Sequence, residues 1–329
     1  MIDPSTNFAL GVFCKRDEPA FLAFVRGDRL LPLAVLDPVT FPQTATLRGL
    51  LETWPTNFNR LSDLAAHIAD HPALAPVADY QTCAPLPDPR QIFCTGANYR
   101  RHVVEMVVAV GLGAETAGMD ADERKLYGEA YAERQLLESE PYIFMKPMTS
   151  VAGPFDDLPL PPYSDQLDWE LELGAVIGRE ACEVSLEDAL SYVAGYMIVN
   201  DLTARDRVRR TDAGAFGPDW VAGKGGKGFL PSGPYFVPAQ FVQNPQNLAM
   251  RLAVSGEIMQ DSNTSDMTFD VARQVWFLSR HTRLLPGDIL CTGSPDGNGA
   301  ARGRFLTAGD VMVAEIEGLG RQVVHCVGR

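Results

Sequence analysis

The chain has 329 residues, 46% of them hydrophobic, and a formal net charge of −14 at pH 7. So acidic a surface argues against nucleic acid and anionic membranes as partners, while a small anion can still bind at a locally basic or metal-bearing site. The length suits one large domain or a large one with a small companion, and no apolar run approaches membrane-span length.

From the N-terminus, MIDPSTNFALGVF lacks a basic stretch followed by a continuous apolar one. Cys14, Cys83, Cys94, Cys182, Cys291 and Cys326 are scattered without a CxxC pair. That pattern predicts reduced thiols in a cytoplasmic protein, with neither a disulfide framework nor a zinc site. Residues 1–85 read as a small N-terminal α+β domain. FALGVF, FLAFVRGDRLLPL and AVL have the look of short strands, and LSDLAAHIADHPAL of a Ser-capped helix. APLPDPRQ (84–91) reads as a linker.

A second domain, 92–329, follows. IFCTGANYRRHVVE runs from a short strand through a Gly-Ala-Asn turn into a helix, and the charged stretch 111–140 favours helix, with Asp120 and Glu123 spaced as a capping pair. This makes about 106–140 a helical insertion able to serve as a lid. Beyond 142, short apolar runs punctuated by Gly and Pro (YIFMKP, ELELGAVIG, AGYMIVND, LAMRLAVSGE, DVMVAEIEG) outnumber two helical patterns, SLEDALSYV (185–193) and DVARQVWFLSRH (270–281). The expected class is α+β, predominantly β, without regular βαβ alternation.

Four constellations could carry chemistry. In DWELELG, Glu170 and Glu172 share one face of a strand. With Asp201, at the end of an apolar strand, they form an oxygen-only set suited to Mg²⁺, Mn²⁺ or Ca²⁺. Spacing alone favours the plainer reading, the wet face of an edge strand. His102 and Glu105, three apart on a helix, make either a carboxylate-backed general base or a surface ion pair. WVAGKGGKGFLPSGP offers Lys224 and Lys227; it lacks the Ser or Thr of a phosphate-cradling loop, so it reads as an ammonium for a substrate oxyanion or as a solvated basic loop. LLPGDILCTGSPDGNG reads as a hairpin with a glycine loop, and no GxSxG elbow occurs.

GANYRRHVVE, FMKPMTSVAGP, DWELELGAVIG, NDLTARD, WVAGKGG with PSGP, GEIMQDSNTSDM and LLPGDILCTGSPDGNG follow one another over about residues 92–329. That ordered set resembles the fumarylacetoacetate hydrolase family. The resemblance implies a mixed β-roll, a homodimer, and Mg²⁺ or Mn²⁺ on Glu170, Glu172 and Asp201. It implies a His102–Glu105 dyad that activates water, with Lys224 rather than Lys227 as the active-site lysine. Tyr99, Arg209, Thr292 and Gly293 become the expected substrate contacts, with Arg209 or Arg210 facing a carboxylate. The implied function is hydrolysis of a C–C bond in a β-diketone or acylpyruvate-type 2-oxo acid, with a metal-stabilised enolate as leaving group, in aromatic or sugar acid catabolism. Alternatives are an oxaloacetate-type decarboxylase or a hydratase or isomerase of the same family, and, from another class, a non-catalytic metal- or ligand-binding homologue. The sequence departs from the family pattern at Gly226, Lys227 and Gly228, at Val208 where a Gln is usual, and in the 106–140 insertion.

Overall fold

The computed structural model describes residues 7–68, 71–210, 212 and 217–328; residues 1–6 of the expected N-terminal unit lie outside them. Strands Leu171–Ile177 and Val193–Asn200 are buried at every position, as near-continuous apolar runs must be when both strand faces are covered. They pair antiparallel with Leu171 opposite Asn200 and Glu172 opposite Val199. Ile289–Cys291 lies on the other side of Leu171–Ile177, followed by Ile92–Gly96 parallel to it and Tyr142–Lys146 at the edge. Val237–Pro238 forms the opposite edge, where proline loses no ladder bond.

This sheet is the middle layer of the molecule. Leu171, Leu173, Ala175 and Ile177 share a buried cluster with Met250, Leu252, Val254, Met312 and Ala314. The latter belong to a five-stranded sheet ordered Glu257–Asn263, Ala249–Val254, Val311–Ile316, Gly320–Val327, Leu158–Pro159. On the other face, Val176, Met197 and Val199 pack with Phe8, Leu10, Phe24 and Trp54 from the N-terminal segment. The N-terminal sheet (Ala75–Pro76, Arg29–Pro32, Phe21–Arg26, Ala9–Cys14, Gln81–Cys83) therefore sits on the same core, and Leu10 exchanges backbone bonds of 2.9 and 2.8 Å with Phe236. By alternation Glu170 and Glu172 lie on the same face as Val176, at the opposite end of that strand.

Ile92–Gly96 and Tyr142–Lys146 are direct neighbours, with Gly96 opposite Tyr142. Everything between them is one excursion from the sheet edge: helices Arg100–Val110 and Ala121–Glu138, joined by a short turn. The predicted cap forms, with Asp120 Oδ1 accepting from the Glu123 amide and Glu123 Oε2 from the Asp120 amide, both at 2.9 Å. Gly128 lets the second helix lie on the first, since a Cβ there would sit 3.2 Å from Val104 Cα and 3.3 Å from Val107 Cβ.

Four local expectations change. The helix expected to begin at Ser62 begins at Trp54, with Pro55 fitting its first turn, so Ser62 is interior. Ala34-Val35-Leu36 belongs to a helical turn, Leu33–Leu36. In 185–193 only Ala189–Tyr192 coils, because Val193 is taken by the sheet opposite Ile177. Ile289–Cys291 is an interior sheet strand rather than one arm of a hairpin, since its partners come from residues 92–94 and 174–176.

Candidate metal centre

Three carboxylates meet where the two central strands end. Glu170 and Glu172 arrive from one strand by alternation, and Asp201 follows the last residue of its neighbour, its amide bonding Glu170 O at 2.8 Å. All three are buried, and one oxygen of each lies within 4.8 Å of the others. The exposed-edge reading fails because sheet and helices cover both faces here.

The protein's own cations neutralise this cluster unevenly. Lys224 Nζ lies 2.5 Å from both Glu170 Oε2 and Asp201 Oδ2. Lys146 Nζ lies 2.5 Å from Asp201 Oδ1 and donates to Leu202 O at 3.0 Å. Arg205 links Asp168 (2.7 Å) and Glu170 Oε1 (2.5 Å). Burial would raise the Glu170 carboxyl, yet Lys224 and Arg205 beside it bring it down to about 2. Glu172 goes the other way: burial, then the charges of Asp201 and its neighbours, push its carboxyl well above the usual range. Its Oε2 accepts only an uncharged donor, the Gly293 amide at 2.8 Å. A buried, oxygen-only donor set with one carboxylate lacking a cation of its own fits a hard divalent ion.

Around the cluster the glycine loop supplies the frame. Asn298 Nδ2 donates to Glu170 Oε1 at 3.2 Å, and the Gly297 amide to Glu105 Oε2 at 2.9 Å. Gly297 adopts φ 95, with Met259 O only 1.9 Å from where a Cβ would be, so no other residue fits. Asn98 ties the turn before the Arg100–Val110 helix to segments far along the chain through Thr292 O (2.7 Å) and both Phe269 backbone groups (2.9 Å each). His102 and Glu105 face each other on that helix with Nδ1 and Oε2 3.7 Å apart. Burial would raise the Glu105 carboxyl, but His102 and the Gly297 amide lower it.

One cavity of about 370 Å³ takes in His102, Glu170, Glu172, Asp201, Arg205, Arg209 and Lys224. Its lining is completed by Tyr142, Phe144 and Trp220, with Val107, Leu112, Tyr131 and Gln135 from the insertion. Trp220, on the helical turn Trp220–Lys224, stacks on Phe144 with centroids 4.1 Å apart and so aims Lys224 inward, whereas Lys227 is exposed.

Not every expected contact reaches this space. Tyr99 is a core residue, its hydroxyl 3.1 Å from Met250 Sδ, because its strand-like backbone turns the ring under the helix. Thr292 spends its hydroxyl on Leu173 O at 2.9 Å, and Gly293 serves Glu172, so both support the cluster rather than line the cavity. Arg209 lines the cavity; Arg210 is taken by Asp212 and Asp219. Sequence reasoning missed Lys146, Asp168 and Arg205 as members of the site. The signal was available, since all three lie in the FMKP, DWELELG and NDLTARD segments. Asn298, Tyr131 and Gln135 carried no comparable local mark.

A family model described as fumarylacetoacetate (FAA) hydrolase C-terminal matches residues 91–327. The chain is 32% identical over 296 residues to the mitochondrial oxaloacetate tautomerase FAHD2A of Bos taurus, covering 89% of this chain and 82% of the relative. It is 39% identical over 219 residues, 66% of this chain and 71% of the relative, to a 2,4-didehydro-3-deoxy-L-rhamnonate hydrolase of Sphingomonas sp. (strain SKA58). A solved structure of fumarylpyruvate hydrolase from Pseudomonas aeruginosa, in complex with Mn²⁺ and pyruvate, matches with a TM-score of 0.59 and 31% identity over 76% of this chain and 92% of that one.

Proposed function

The chain belongs to the fumarylacetoacetate hydrolase family, and from that premise we propose that it is a metal-dependent hydrolase cleaving a carbon–carbon bond in a β-diketone or acylpyruvate-type 2-oxo acid. The observation that carries this reading is the buried Glu170–Glu172–Asp201 cluster sharing one cavity with His102 and Lys224. Glu170, Glu172 and Asp201 would hold Mg²⁺ or Mn²⁺, and Mn²⁺ is the ion in the similar fumarylpyruvate hydrolase structure. When bound, the ion supplies Lewis acidity toward the oxygens of the 2-oxo acid head.

The chain's own groups then have distinct tasks. His102 is the cavity-facing base that takes a proton from water, and Glu105, kept ionised and fixed by the Gly297 amide, steadies the imidazolium that results. Lys224 presents a fixed ammonium to negative charge developing on the substrate, because the carboxylates around it outweigh the burial that would discharge it. Phe144, Trp220 and Tyr142 give the cavity an aromatic wall.

A second reading, tautomerase or decarboxylase chemistry on an oxaloacetate-type acid, has the tautomerase relative behind it. One experiment separates them: an acylpyruvate panel followed by loss of ultraviolet absorbance and by pyruvate release, with and without Mn²⁺. Metal-dependent pyruvate release abolished by His102→Ala supports the hydrolase. Enol–keto exchange of oxaloacetate with no C–C cleavage of any acylpyruvate would replace it by the tautomerase. The described helices include none long and apolar enough to cross a membrane, and all six cysteines are free. In this reading the enzyme is cytoplasmic, and the family likeness supports a homodimer.

A further inference from the structure

Away from the carboxylate cluster, two of the six free cysteines meet. Cys14 closes the strand Ala9–Cys14, and Cys83 closes Gln81–Cys83, the outer strand of the N-terminal sheet. These strands run antiparallel, with Val12 opposite Cys83 and Cys14 opposite Gln81. Alternation puts Val12, Cys14 and Cys83 on one face, where Cys14 and Cys83 are diagonal neighbours. Their sulfurs lie 3.6 Å apart, although the residues stand 69 positions apart in the chain. Closing that gap by about 1.5 Å reaches bonding distance, a movement that side-chain rotation at a sheet edge can supply.

Access sets this pair apart from the other thiols. Cys94 and Cys291 also oppose one another, on parallel strands, but at 0% exposure neither is open to an oxidant from solvent. Cys326 is buried as well, and Cys182 stands exposed on its own. Cys14 and Cys83 are each half-buried, reachable from water and already in contact.

We propose that Cys14 and Cys83 are a reversible oxidation site, at which a hydroperoxide converts the two thiols into a disulfide across the edge of the N-terminal sheet. Burial, then the Cys14 thiol beside it, push the Cys83 thiol up to about 12. Cys83 thus keeps its proton at neutral pH, which makes Cys14 the sulfur that meets peroxide first. The Cys14 thiolate attacks one peroxide oxygen. An S–O bond forms as the O–O bond breaks, and the departing hydroxide takes up the proton Cys14 gave away. Cys83 sulfur then displaces the hydroxyl from the Cys14 sulfenic acid. The S–S bond forms, the S–O bond breaks, and the hydroxyl leaves with the Cys83 proton as a second water. Two electrons pass from the sulfurs to the peroxide. The bond closes residues 14–83 into a ring that includes the strands Phe21–Arg26, Arg29–Pro32 and Ala75–Pro76. A ring that long constrains the unfolded chain strongly, so oxidation fastens the N-terminal sheet against unfolding.

The test treats the reduced full chain briefly with equimolar hydrogen peroxide and reads thiols, mass and stability. Titratable thiols should fall from six to four, with the intact mass lower by two hydrogens and a peptide map joining Cys14 to Cys83. The urea midpoint should rise by roughly 1 M, and dithiothreitol should return it. In Cys83→Ser the sulfenic acid on Cys14 has no thiol to meet, so dimedone should label it and the midpoint should stay put. Cys14→Ser should show neither label nor cross-link at Cys83. Six thiols surviving equimolar peroxide, a bond joining any other pair, or cross-linked dimers would overturn the proposal. So would a Cys14–Cys83 bond that dithiothreitol cannot reopen, or dimedone on Cys83 in Cys14→Ser.

Discussion

Asp168 is the residue on which the frame of the carboxylate cluster can be tested most sharply. It is fully buried and receives four donors: the amides of Trp169 (2.8 Å), Gly299 (2.7 Å) and Ala300 (3.0 Å), and Arg205 Nε (2.7 Å). Asp168→Ala leaves the Arg205 guanidinium with Glu170 alone and strips three amides of their acceptor. Removing one partner of a buried ion pair costs about 3–5 kcal/mol, and an orphaned buried amide about 1–3 kcal/mol. These terms overlap, because water entering the space left by the carboxylate serves several donors at once. The expected loss is therefore about 4 kcal/mol, read as a lower urea midpoint at unchanged slope. Asp168→Asn keeps an acceptor for the amides and should lose roughly half as much. If the stranded guanidinium is the main cost, Asp168→Ala with Arg205→Met should be more stable than Asp168→Ala alone. Mn²⁺ affinity should also fall about 10–100-fold in Asp168→Ala, since Arg205 would no longer hold Glu170 from a fixed point. A loss below about 1 kcal/mol, or a double variant in which the two losses simply add, would refute the reasoning.

Gly128→Val should push the insertion helix off Val104 and Val107 at a cost of about 1–3 kcal/mol, seen as faster limited proteolysis within 111–140. Trp220→Ala removes the stack on Phe144 that aims Lys224; kcat should drop about tenfold or more with the far-ultraviolet spectrum unchanged, because a small misplacement of a reacting group is amplified in rate. Asn98→Ala strands the Phe269 amide and the Thr292 carbonyl, while Phe269 O keeps Gln274, and should destabilise the fold by about 2–3 kcal/mol in urea melts. Burial raises the Asp288 carboxyl to about 6 from an ordinary value of 3.8. Between those values the native state binds more protons than the unfolded one, so this group's contribution to stability is full below about pH 4 and is lost as the pH rises through 6. Asp288→Asn should flatten that part of the stability profile; an unchanged slope between pH 4 and 6 would count against it.

Much of the site was written locally. Alternation alone put Glu170 and Glu172 on one face, the Asp120–Glu123 spacing formed the cap it promised, and Lys224 rather than Lys227 points inward. The ordered motifs also pointed to Glu170, Glu172 and Asp201 as a set, and the fold brings the three together. What they left open was whether that strand face was wet. The answer depends on Val193–Asn200, Ile289–Cys291 and the helical excursion closing around it, pairings between segments far apart in the chain. Tyr99 shows the converse, since a residue inside a matching motif went to the core because the turn at Asn98 directs its ring toward Met250.

The sequence by itself thus determined the periodicities, the caps and which residue types were present: three carboxylates for a hard cation, an imidazole with its carboxylate, and a lysine on a glycine loop. Only the tertiary structure decided which charge answers which. Lys224 reaches Glu170 across 54 residues, Gly293 reaches Glu172 across 121, and Gly297 reaches Glu105 across 192. Local propensity acts over a few residues, whereas a buried charge is settled by whatever the packed chain brings within about 4 Å of it. That is why Glu170 and Glu172, two positions apart and indistinguishable by pattern, are driven to opposite sides of the ordinary carboxylate range.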